Sequence, residues 1–419
     1  SINVCGIIGF VSTKEKENPA QFLVEGLKRL EYRGYDSWGI AFGEGPTLFK
    51  KVGKISGVSN QQILNLGGLR EGLGNRPAVA GLGHTRWATH GGVTDENAHP
   101  HLDCLGEVVV AHNGIIENWE ELRSELEGAG HRFRSETDTE VVAHLIEDQK
   151  VDPAEAGRNA FNRLEGLNAI AAFFPKENII VAFRNGSPLV VGVGDGEYFL
   201  ASDAPAFLPY TKRVIFLNDG EGVILSNSKN QKSNIKIINA ETGEERPVKV
   251  EKITWSSEES EKGEYPHYLI KEIKEQPQVL SRLAEYPEKE LKEVDGLIKK
   301  SFGTYFTACG TAAYASLAAT YLFADLAKRH VNFSVGSEFY FLEDFLTPKS
   351  LLIAASQSGE TMDTLEAVRA AKKRRAKVVA LVNVPGSSLT RLADKTLLLQ
   401  GGPEKAVLAT KSYTAKLAL

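Results

Sequence analysis

The spacing of short apolar runs changes sharply along the chain, and this change constrains the fold more than any other feature. From residue 5 to about 225, strand-like runs follow one another with two amphipathic helices, Gln21–Glu31 and Thr139–Glu147. From residue 301, apolar runs alternate with helical segments. Many strands with few helices are typical of stacked sheets, whereas strict alternation is typical of βαβ units. The sequence therefore predicts an α+β domain over 5–225 and a doubly wound, parallel-sheet α/β domain over 301–419.

Residues 226–300 differ in composition from both flanking parts. Asn227–Ser233 is polar and Glu258–Glu264 is charged, which is typical of linkers and solvated loops. Two helical stretches patterned with charges follow, Tyr268–Glu275 and Glu288–Lys300. The sequence predicts a linker and interdomain helices here.

Charge and residue patterning exclude several classes of partner. The formal net charge is −5 and aromatic residues do not alternate with basic ones, so we expect neither nucleic acid nor an anionic membrane as a partner. The longest apolar runs have the length of strands, far short of a membrane span. Three cysteines, Cys5, Cys104 and Cys309, are too few and too scattered for a disulfide framework or a zinc site. The nine histidines lack the spacing of a metal site, so we expect a reducing, cytoplasmic setting with no metal and no cofactor.

The first predicted domain carries side chains that together suit chemistry on glutamine. Cys5 supplies a nucleophile, and Arg86 offers a two-point clamp for an α-carboxylate. Asp138 offers a counter-charge for an α-ammonium, while Asn113 and Gly114 offer N–H groups for an oxyanion. Each residue alone has a plainer interpretation, as a core cysteine, a surface ion pair, a helix N-cap or a hairpin turn. Their combination favours the catalytic interpretation.

Six segments of this domain resemble the class II glutamine amidotransferase domain, over residue 5 to about 225. These segments are Cys5–Gly9, Leu30–Ser37, Arg86–His90, Asn97–His101, His112–Asn118 and Ser135–Glu140. They are more similar to the fructose-6-phosphate enzymes than to the purine-pathway or asparagine-synthetase relatives. The resemblance implies an N-terminal-nucleophile fold.

The resemblance also implies roles for individual residues. Cys5 would be the nucleophile, and Asn113 with Gly114 the oxyanion hole. Trp87 would gate an internal ammonia channel. The implied glutamine-binding residues are Arg86, Thr89, His90 and Asp138.

The residues before Cys5 depart from the pattern of that family. Its nucleophilic cysteine is the first residue of the mature protein, and the α-amine, which titrates near ~7.7–8.0, serves as the base. Here Ser1–Val4 precede Cys5, so its nitrogen is an amide that cannot accept a proton. We expect these residues to be removed, or Val4 to be the true start, since an internal GTG start codon is read as valine. The terminal stretch Ser412–Leu419 has a helical pattern, and we expect the chain to be part of a longer protein.

Two loops in the second predicted domain suit a phosphate group. Leu351–Ala355 leads into the hydroxyl-rich loop Ser356–Thr361, and Tyr305–Ala308 leads into Cys309–Thr311. Backbone N–H groups at a helix N-terminus attract anions, and loops at the carboxyl ends of parallel strands bind ligands in such sheets. One loop alone is as readily an N-cap with a turn. Two such loops on one sheet favour an anion site.

These loops, together with Asn383–Leu389, resemble the sugar isomerase (SIS) domain. Tyr265–Tyr268 and Lys271–Pro277 resemble the segment that joins the two domains in the aminotransferases. Ala312 and Ala409 depart from the pattern, because each stands where a serine is usual and removes a hydroxyl. The implied sugar-phosphate residues are Gly310, Thr311, Ser356, Gln357, Ser358 and Thr361. The family also has a second SIS subdomain with the isomerase acid/base residues, which we expect this chain to lack.

The two resemblances together imply membership of the glutamine–fructose-6-phosphate aminotransferase family. Such an enzyme transfers the glutamine amide nitrogen to fructose 6-phosphate, giving glucosamine 6-phosphate and glutamate, and pairs as a homodimer through its SIS domains. Two alternatives stay open. Another class II amidotransferase is disfavoured because no phosphoribosyl-diphosphate or ATP-pyrophosphatase motif follows residue 300. A catalytically impaired sugar-phosphate sensor is distinguished by whether Cys5 becomes N-terminal and whether the gene continues past Leu419.

Overall fold

The computed structural model divides the protein into two compact units, one ending at Thr254 and the other spanning Trp255–Leu419. The structure describes residues 5–64, 77–226, 235–253, 255, 259, 261–406 and 408–419. Within these ranges no helix has the length and apolar character needed to cross a membrane.

The first unit consists mainly of strands. Its strands are β1 (Gly6–Lys16), β2 (Ser37–Phe42), β3 (Thr47–Val52), β4 (Ala78–Arg86), β5 (His101–Leu102), β6 (Val109–Gly114), β7 (Asn168–Phe174), β8 (Ile179–Asn185), β9 (Val190–Val193), β10 (Glu197–Ala201), β11 (Arg213–Phe216), β12 (Glu221–Ser226), β13 (Ile235–Asn239), β14 (Glu245–Arg246) and β15 (Glu251–Lys252). Its helices are α1 (Pro19–Leu30), α2 (Asn60–Leu64), α3 (Trp119–Gly128), α4 (Glu140–Glu147) and α5 (Pro153–Phe161), with 3-10 turns at Ile55–Gly57 and Ala204–Ala206.

These strands form two antiparallel sheets. The first has the order β15-β11-β9-β10-β1-β4-β2-β3, and the second has the order β14-β13-β12-β8-β7-β6-β5. In the first sheet β1 lies between β4 and β10. The residues at the amino end of β1 are therefore placed beside the carboxyl end of β4.

The two sheets stack face to face between helices. β7 shows the arrangement, because its odd-numbered side chains join a core shared with the first sheet while its even-numbered ones face α3, α4 and α5. Both faces of this strand are buried, which explains its continuous apolar run. On the outer face of the first sheet, α1 packs Phe22 against Phe10 at 5.1 Å between ring centroids. The unit is thus a sandwich of helix, sheet, sheet and helix layers, which confirms the predicted α+β class.

The second unit alternates strands and helices. Its elements are α6 (Tyr268–Ala284), α7 (Glu288–Lys300), β16 (Gly303–Ala308), α8 (Gly310–Leu326), β17 (Asn332–Val335), a 3-10 segment (Gly336–Phe345), β18 (Ser350–Ser356), α9 (Met362–Lys373), β19 (Lys377–Val382), α10 (Ser388–Leu392), β20 (Lys395–Leu398) and α11 (Lys411–Ala418).

The strands of this unit form one parallel sheet with the order β17-β16-β18-β19-β20. Buried side chains of α9 and the 3-10 segment cover one face, and those of α6, α7 and α11 cover the other. β16 comes first along the chain, but in the sheet it lies between β17 and β18. The direction in which strands are added to the sheet therefore reverses between β16 and β18. Sheets of this kind bind ligands at that switch point. The predicted doubly wound class is confirmed.

The segment 226–300, predicted as a linker with interdomain helices, contributes to both units. Its first part supplies β13, β14 and β15 to the two sheets of the first unit, and its last part supplies α6 and α7 to the second. Part of the predicted polar linker, 227–234, lies outside the described residues.

Candidate active site

Cys5 lies immediately before β1, next to the end of β4. Gly6 pairs with Thr85 across the two strands, and this register puts the Cys5 thiol against the peptide of Trp87. The Trp87 backbone N–H donates to Cys5 Sγ at 3.1 Å, and Arg33 Nε donates to the Cys5 carbonyl at 3.3 Å. Burial raises the pKa of the Cys5 thiol to about 11, so the thiol is neutral near pH 7 and needs a base to become a nucleophile.

Arg86 is the last residue of β4 and is almost completely buried. Its Nη1 donates to the carbonyl of Gly92 at 3.0 Å, and its Nη2 donates to the carbonyls of His90 and Gly91. The guanidinium thus holds the loop that follows β4. Because an arginine has five N–H donors, it can anchor this loop and still contribute to a carboxylate site.

Asn113 lies near the end of β6, and its side-chain amide joins the two sheets. Its Oδ1 lies 3.1 Å from His84 Nε2, and its Nδ2 donates to Ser202 Oγ at 2.8 Å. Ser202 Oγ also accepts from the backbone N–H of Ile7 at 2.8 Å, two residues after the thiol. Burial lowers the pKa of His84 to about 3, so this ring is neutral. With a proton on Nε2, the His84 ring can donate to both Asn113 Oδ1 and the His112 carbonyl. This contact turns the amide oxygen of Asn113 toward His84 and its N–H groups away from the ring.

Asp138 is buried at the start of the segment leading into α4. Its Oδ2 accepts from the backbone N–H of Ile116 at 2.9 Å. Burial lowers the pKa of Arg86 and that of His112, and in both cases the Asp138 carboxylate opposes the shift. Asp138 therefore lies within electrostatic range of Arg86 and of His112, the neighbour of Asn113 on β6.

The remaining predicted glutamine-site residues lie on the loop that Arg86 anchors. Thr89 is exposed and His90 is half-buried, with the His90 ring edge-on to Trp119 at 5.7 Å between centroids. The Trp87 ring meets Tyr35 edge-on at 5.0 Å. No contact ties Thr89 to the thiol within the described contacts, so its place in the site rests on its position in the loop.

Three supporting residues were not singled out from the sequence: Asp36, Ser202 and His84. Asp36 Oδ2 accepts from the backbone N–H of Ala88 at 3.0 Å, and its own N–H donates to the Arg86 carbonyl at 3.0 Å. The sequence signal for Asp36 was available, because it lies in the quoted segment Leu30–Ser37. Ser202 lies outside the quoted segments and is identified only by its contacts.

In the second unit, the loop Ser356–Thr361 follows β18 at the switch point. Ser356 is buried, and its Oγ accepts from the backbone N–H of Gly359 at 2.9 Å and lies 3.1 Å from Thr361 Oγ1. Gly359 has φ +71°, and a Cβ there would lie 2.1 Å from Ser387 Oγ, so only glycine fits this turn. Gln357 and Ser358 are half-buried.

The second predicted loop lies beside the first. Gly310, with φ +57°, begins α8, and Thr311 is half-buried in its first turn. Cys309 Sγ lies 3.8 Å from both Asp363 Oδ2 and Thr364 Oγ1 in the first turn of α9. The N-termini of α8 and α9 are therefore neighbours, as the sequence predicted for an anion site. The helix α8 follows the extended residue Cys309 and begins at Gly310.

A further cluster lies in the first unit, away from these residues. Cys104, His131, His144 and Glu147 each offer one ligand atom, and these four atoms lie within 4.8 Å of one another. From the sequence we expected no metal site, because the three cysteines are scattered and the histidines lack the usual spacing. The available signal was the spacing of His144 and Glu147, which lie three residues apart on one helix.

Comparison with known proteins identifies two domain models and a set of close relatives. A glutamine amidotransferase domain model matches residues 84–209, and an SIS domain model matches residues 297–419. Three curated proteins named glutamine–fructose-6-phosphate aminotransferase (isomerizing) match 99% of this chain. They come from Thermococcus kodakarensis (47% identical, 67% of its length covered), Thermus thermophilus (44%, 67%) and Pyrococcus horikoshii (45%, 68%). The chain spans about two thirds of the length of these relatives.

Proposed function

Because this chain belongs to the glutamine–fructose-6-phosphate aminotransferase family, we propose that it moves the amide nitrogen of glutamine to fructose 6-phosphate, giving glucosamine 6-phosphate and glutamate. The observation that carries the proposal is the Cys5 thiol, held against the Trp87 peptide beside Arg86. The SIS unit adds paired helix N-termini at the switch point of its parallel sheet.

Glutamine hydrolysis would begin with the thiol of Cys5. The sulfur attacks the side-chain amide carbon, the carbonyl oxygen becomes an oxyanion, and collapse forms a glutamyl thioester and releases ammonia. Water then cleaves the thioester to glutamate and restores the thiol. The Asn113 side chain and the Gly114 N–H would stabilise the oxyanion, at about 3–4 kcal/mol for each donor.

Substrate recognition would use opposite charges on the two sides of the thiol. Arg86 would bind the α-carboxylate of glutamine and Asp138 the α-ammonium, with Thr89 and His90 on the loop that Arg86 anchors. Trp87 would gate the path of ammonia, since its backbone already contacts the sulfur at which ammonia forms.

The sugar phosphate would lie against the loops after β16 and β18. Ser356, Ser358, Thr311 and Thr361 offer hydroxyl groups, and the backbone at Gly310 and the Gln357 side chain offer further N–H donors. A phosphate group there gains from the N-terminal ends of two helices.

The test is to follow nitrogen from amide-¹⁵N glutamine in the full-length protein. We expect ¹⁵N in glucosamine 6-phosphate, with glutamate released in equal amount. Cys5→Ala should abolish both products while fructose 6-phosphate still binds. Sugar binding without any glutamate release from a chain whose first residue is Cys5 would contradict the proposal and favour the sensor alternative.

The base for Cys5 can be tested separately. A chain whose first residue is Cys5 has an α-amine that titrates near ~7.7–8.0, whereas a chain that keeps Ser1–Val4 has an amide there. We predict that glutamine hydrolysis is about 10²–10⁴-fold faster with the free amine. Alkylation of Cys5 in the longer chain should keep rising toward pH 11, as its raised pKa requires. Equal hydrolysis rates in the two chains would exclude the α-amine as the base.

Three wider assignments belong to the same proposal. Residues 5–225 would form the glutaminase domain, 226–300 the connection and 301–419 the first SIS domain. The protein would be cytoplasmic, in line with three free cysteines. Subcellular fractionation tests this location.

The protein would also form a homodimer through the SIS unit, where Tyr314, Tyr321 and Leu326 of α8 are 69%, 68% and 77% exposed. Sedimentation should give a dimer that Leu326→Asp dissociates.

A further inference from the structure

Four side chains from three parts of the first unit converge beside α4. Cys104 comes from the turn between β5 and β6, and His131 follows α3. His144 and Glu147 lie on one face of α4, one turn apart. Their ligand atoms all lie within 4.8 Å of one another. His144 is fully buried, and the other three side chains are partly buried.

The distances from the sulfur to the two nitrogens are close to those of a tetrahedral metal site, and the distances from the carboxylate oxygen are somewhat shorter. Cys104 Sγ lies 3.7 Å from His131 Nδ1 and 3.6 Å from His144 Nδ1. With zinc bond lengths of about 2.3 Å to sulfur and about 2.0–2.1 Å to nitrogen, tetrahedral sulfur and nitrogen ligands lie about 3.5–3.6 Å apart. Glu147 Oε2 lies 3.0 Å from each of the two Nδ1 atoms, against about 3.3–3.4 Å expected for zinc.

Hydrogen bonds alone satisfy this cluster poorly. Each Nδ1 lies close to both the Cys104 sulfur and the Glu147 oxygen. A single proton on Nδ1 can be donated to only one of these two atoms, so the other close contact of each nitrogen is not a hydrogen bond. Glu147 Oε2 already accepts from the backbone N–H of Cys104 at 3.1 Å, and Cys104 Sγ from that of Arg132 at 3.5 Å. One cation among the four atoms would meet every contact, with neutral imidazoles, a thiolate and a carboxylate as ligands.

The outer nitrogen of His131 has the carboxylate partner that metal-bound histidines usually have, whereas that of His144 is buried with no hydrogen bond among the described residues and has a carboxylate only nearby. His131 Nε2 lies 2.9 Å from Asp148 Oδ1, and His144 Nε2 lies 3.7 Å from Glu140 Oε1. The carboxylate behind His131 favours the tautomer with a proton on Nε2, which leaves Nδ1 free for a metal. Glu140 also accepts from the backbone N–H groups of Arg134 and Ser135, at 2.8 Å and 2.6 Å.

We propose that Cys104, His131, His144 and Glu147 bind a transition-metal dication, with zinc the best fit to this ligand set. One sulfur, two imidazole nitrogens and one carboxylate oxygen are ligands that zinc accepts. Four protein ligands complete a tetrahedral shell, so the site is structural rather than catalytic. It joins both ends of the segment 131–144, which carries Asp138, to the β5–β6 turn. The metal site itself does not depend on the catalytic assignment of Asp138.

The first experiment measures metal content in the full chain, purified without chelators or a metal-affinity tag. Mass spectrometry of the metals should give about one equivalent of zinc or another first-row dication per chain. Cys104→Ser and His144→Gln should each lose most of it. Cys309→Ser, the same thiol-to-hydroxyl change in the other unit, should keep it. A metal-free wild type that takes up no zinc on titration would overturn the proposal, as would metal that all three variants retain.

A second experiment reports on the ligands and does not require that the variants retain metal. Cobalt(II) added to the metal-free chain should give tetrahedral d–d bands and a thiolate-to-cobalt charge-transfer band, and Cys104→Ser should lose the charge-transfer band. Zinc at about a hundred times its Kd should raise Tm by about 5–10 °C in the wild type and leave Cys104→Ser unchanged. If Cys104→Ser does not fold, Glu147→Gln serves for the Tm measurement: it keeps the thiolate and both imidazoles but loses one ligand, so the same zinc concentration should raise its Tm less than that of the wild type. An unchanged Tm with no cobalt bands would mean that the cluster is only a hydrogen-bonded network.

Discussion

At the scale of single residues, the orientation of Asn113 depends on a buried histidine. His84 is fully buried, and burial lowers its pKa to about 3. The ring therefore stays neutral at physiological pH, and its one N–H can donate to Asn113 Oδ1. Reversing the amide would point Nδ2 at this donor and leave the His84 N–H without the Asn113 oxygen as an acceptor. The histidine thereby positions the Asn113 amide, which we propose as part of the oxyanion hole.

We predict that Asn113→Ala lowers kcat for glutamine hydrolysis about 10²–10³-fold with little change in KM, because the lost donor acts only on the oxyanion. Steady-state glutamate release measures both constants. Asn159→Ala is the matched control, since its side chain bonds Gln149 on the far side of the second sheet, and its kcat should equal that of the wild type. A KM effect without a kcat effect would place Asn113 in substrate binding instead.

At the scale of secondary-structure elements, the loop after β18 is ordered by its own side chains. Ser356 Oγ ties the turn at Gly359 to Thr361, and the Glu360 carboxylate accepts from the backbone N–H and the hydroxyl of Ser388, both at 2.8 Å. The loop is thereby held to the start of α10. A preordered loop binds its ligand without the entropic cost of ordering it.

We predict that Ser356→Ala weakens the binding of fructose 6-phosphate about tenfold, because it removes a hydroxyl and loosens the turn that presents the backbone N–H groups. Isothermal titration with the sugar phosphate measures the Kd. Ser337→Ala, at an exposed position of the same unit, should leave the Kd unchanged. If Ser356→Ala and the wild type bind fructose 6-phosphate with equal Kd, the phosphate does not bind at this loop.

Four buried histidines on and around β4, β5 and β6 make the first unit sensitive to acid. They are His84, His99, His101 and His112, and burial lowers the pKa of each. In the unfolded chain they titrate near their ordinary value of about 6.5. The unfolded state therefore binds more protons between that value and the folded pKa, and stability rises with pH in this window.

We predict that Tm of the first unit falls as pH decreases from about 6.5 toward about 5, since stability is fully present above the unfolded pKa and is lost toward the folded one. One fully buried histidine contributes about 1 kcal/mol for each pH unit, or about 2–4 °C. Calorimetry across this range measures the slope. His101→Gln should make the slope smaller, and His330→Gln in the second unit should not. A Tm that does not change down to pH 5 would contradict the conclusion that these four histidines are buried and neutral in the folded state.

At the scale of the whole molecule, the two units have separate cores. The core between the sheets of the first unit contains only residues before Thr254, and the clusters around the parallel sheet contain only residues after it. Each unit therefore has a hydrophobic core of its own, as a domain that unfolds cooperatively requires.

We predict two calorimetric transitions, each stabilised by its own ligand. A saturating glutamine analogue should raise only the Tm of the first unit. Fructose 6-phosphate should raise only the Tm of the second unit. Saturation at about a hundred times Kd shifts a unit of this size by about 5–10 °C. A single transition that both ligands raise equally would mean that the units unfold together.

The sequence predicted some of the elements of both units, where the apolar pattern is local. The predicted helical stretch Glu288–Lys300 coincides with α7. Several strands were not predicted, among them β2, β7, β10 and β12, and neither were the helices α3 and α5. The short strands β10 and β12 pair with β1 and β8, and this pairing decides their structure.

The sequence by itself determined the chemistry that the chain carries. Cys5, Arg86, Asn113 and Asp138 lie in short motifs whose order is read along the chain, and the hydroxyl-rich loop after β18 is equally local. Only the tertiary structure decided which residues support them. Ser202 lies 89 positions from Asn113 and His84 lies 29 positions from it, and the Cys104–Glu147 cluster draws on three separate segments. Such groupings follow from sheet register and helix packing, which no local pattern specifies.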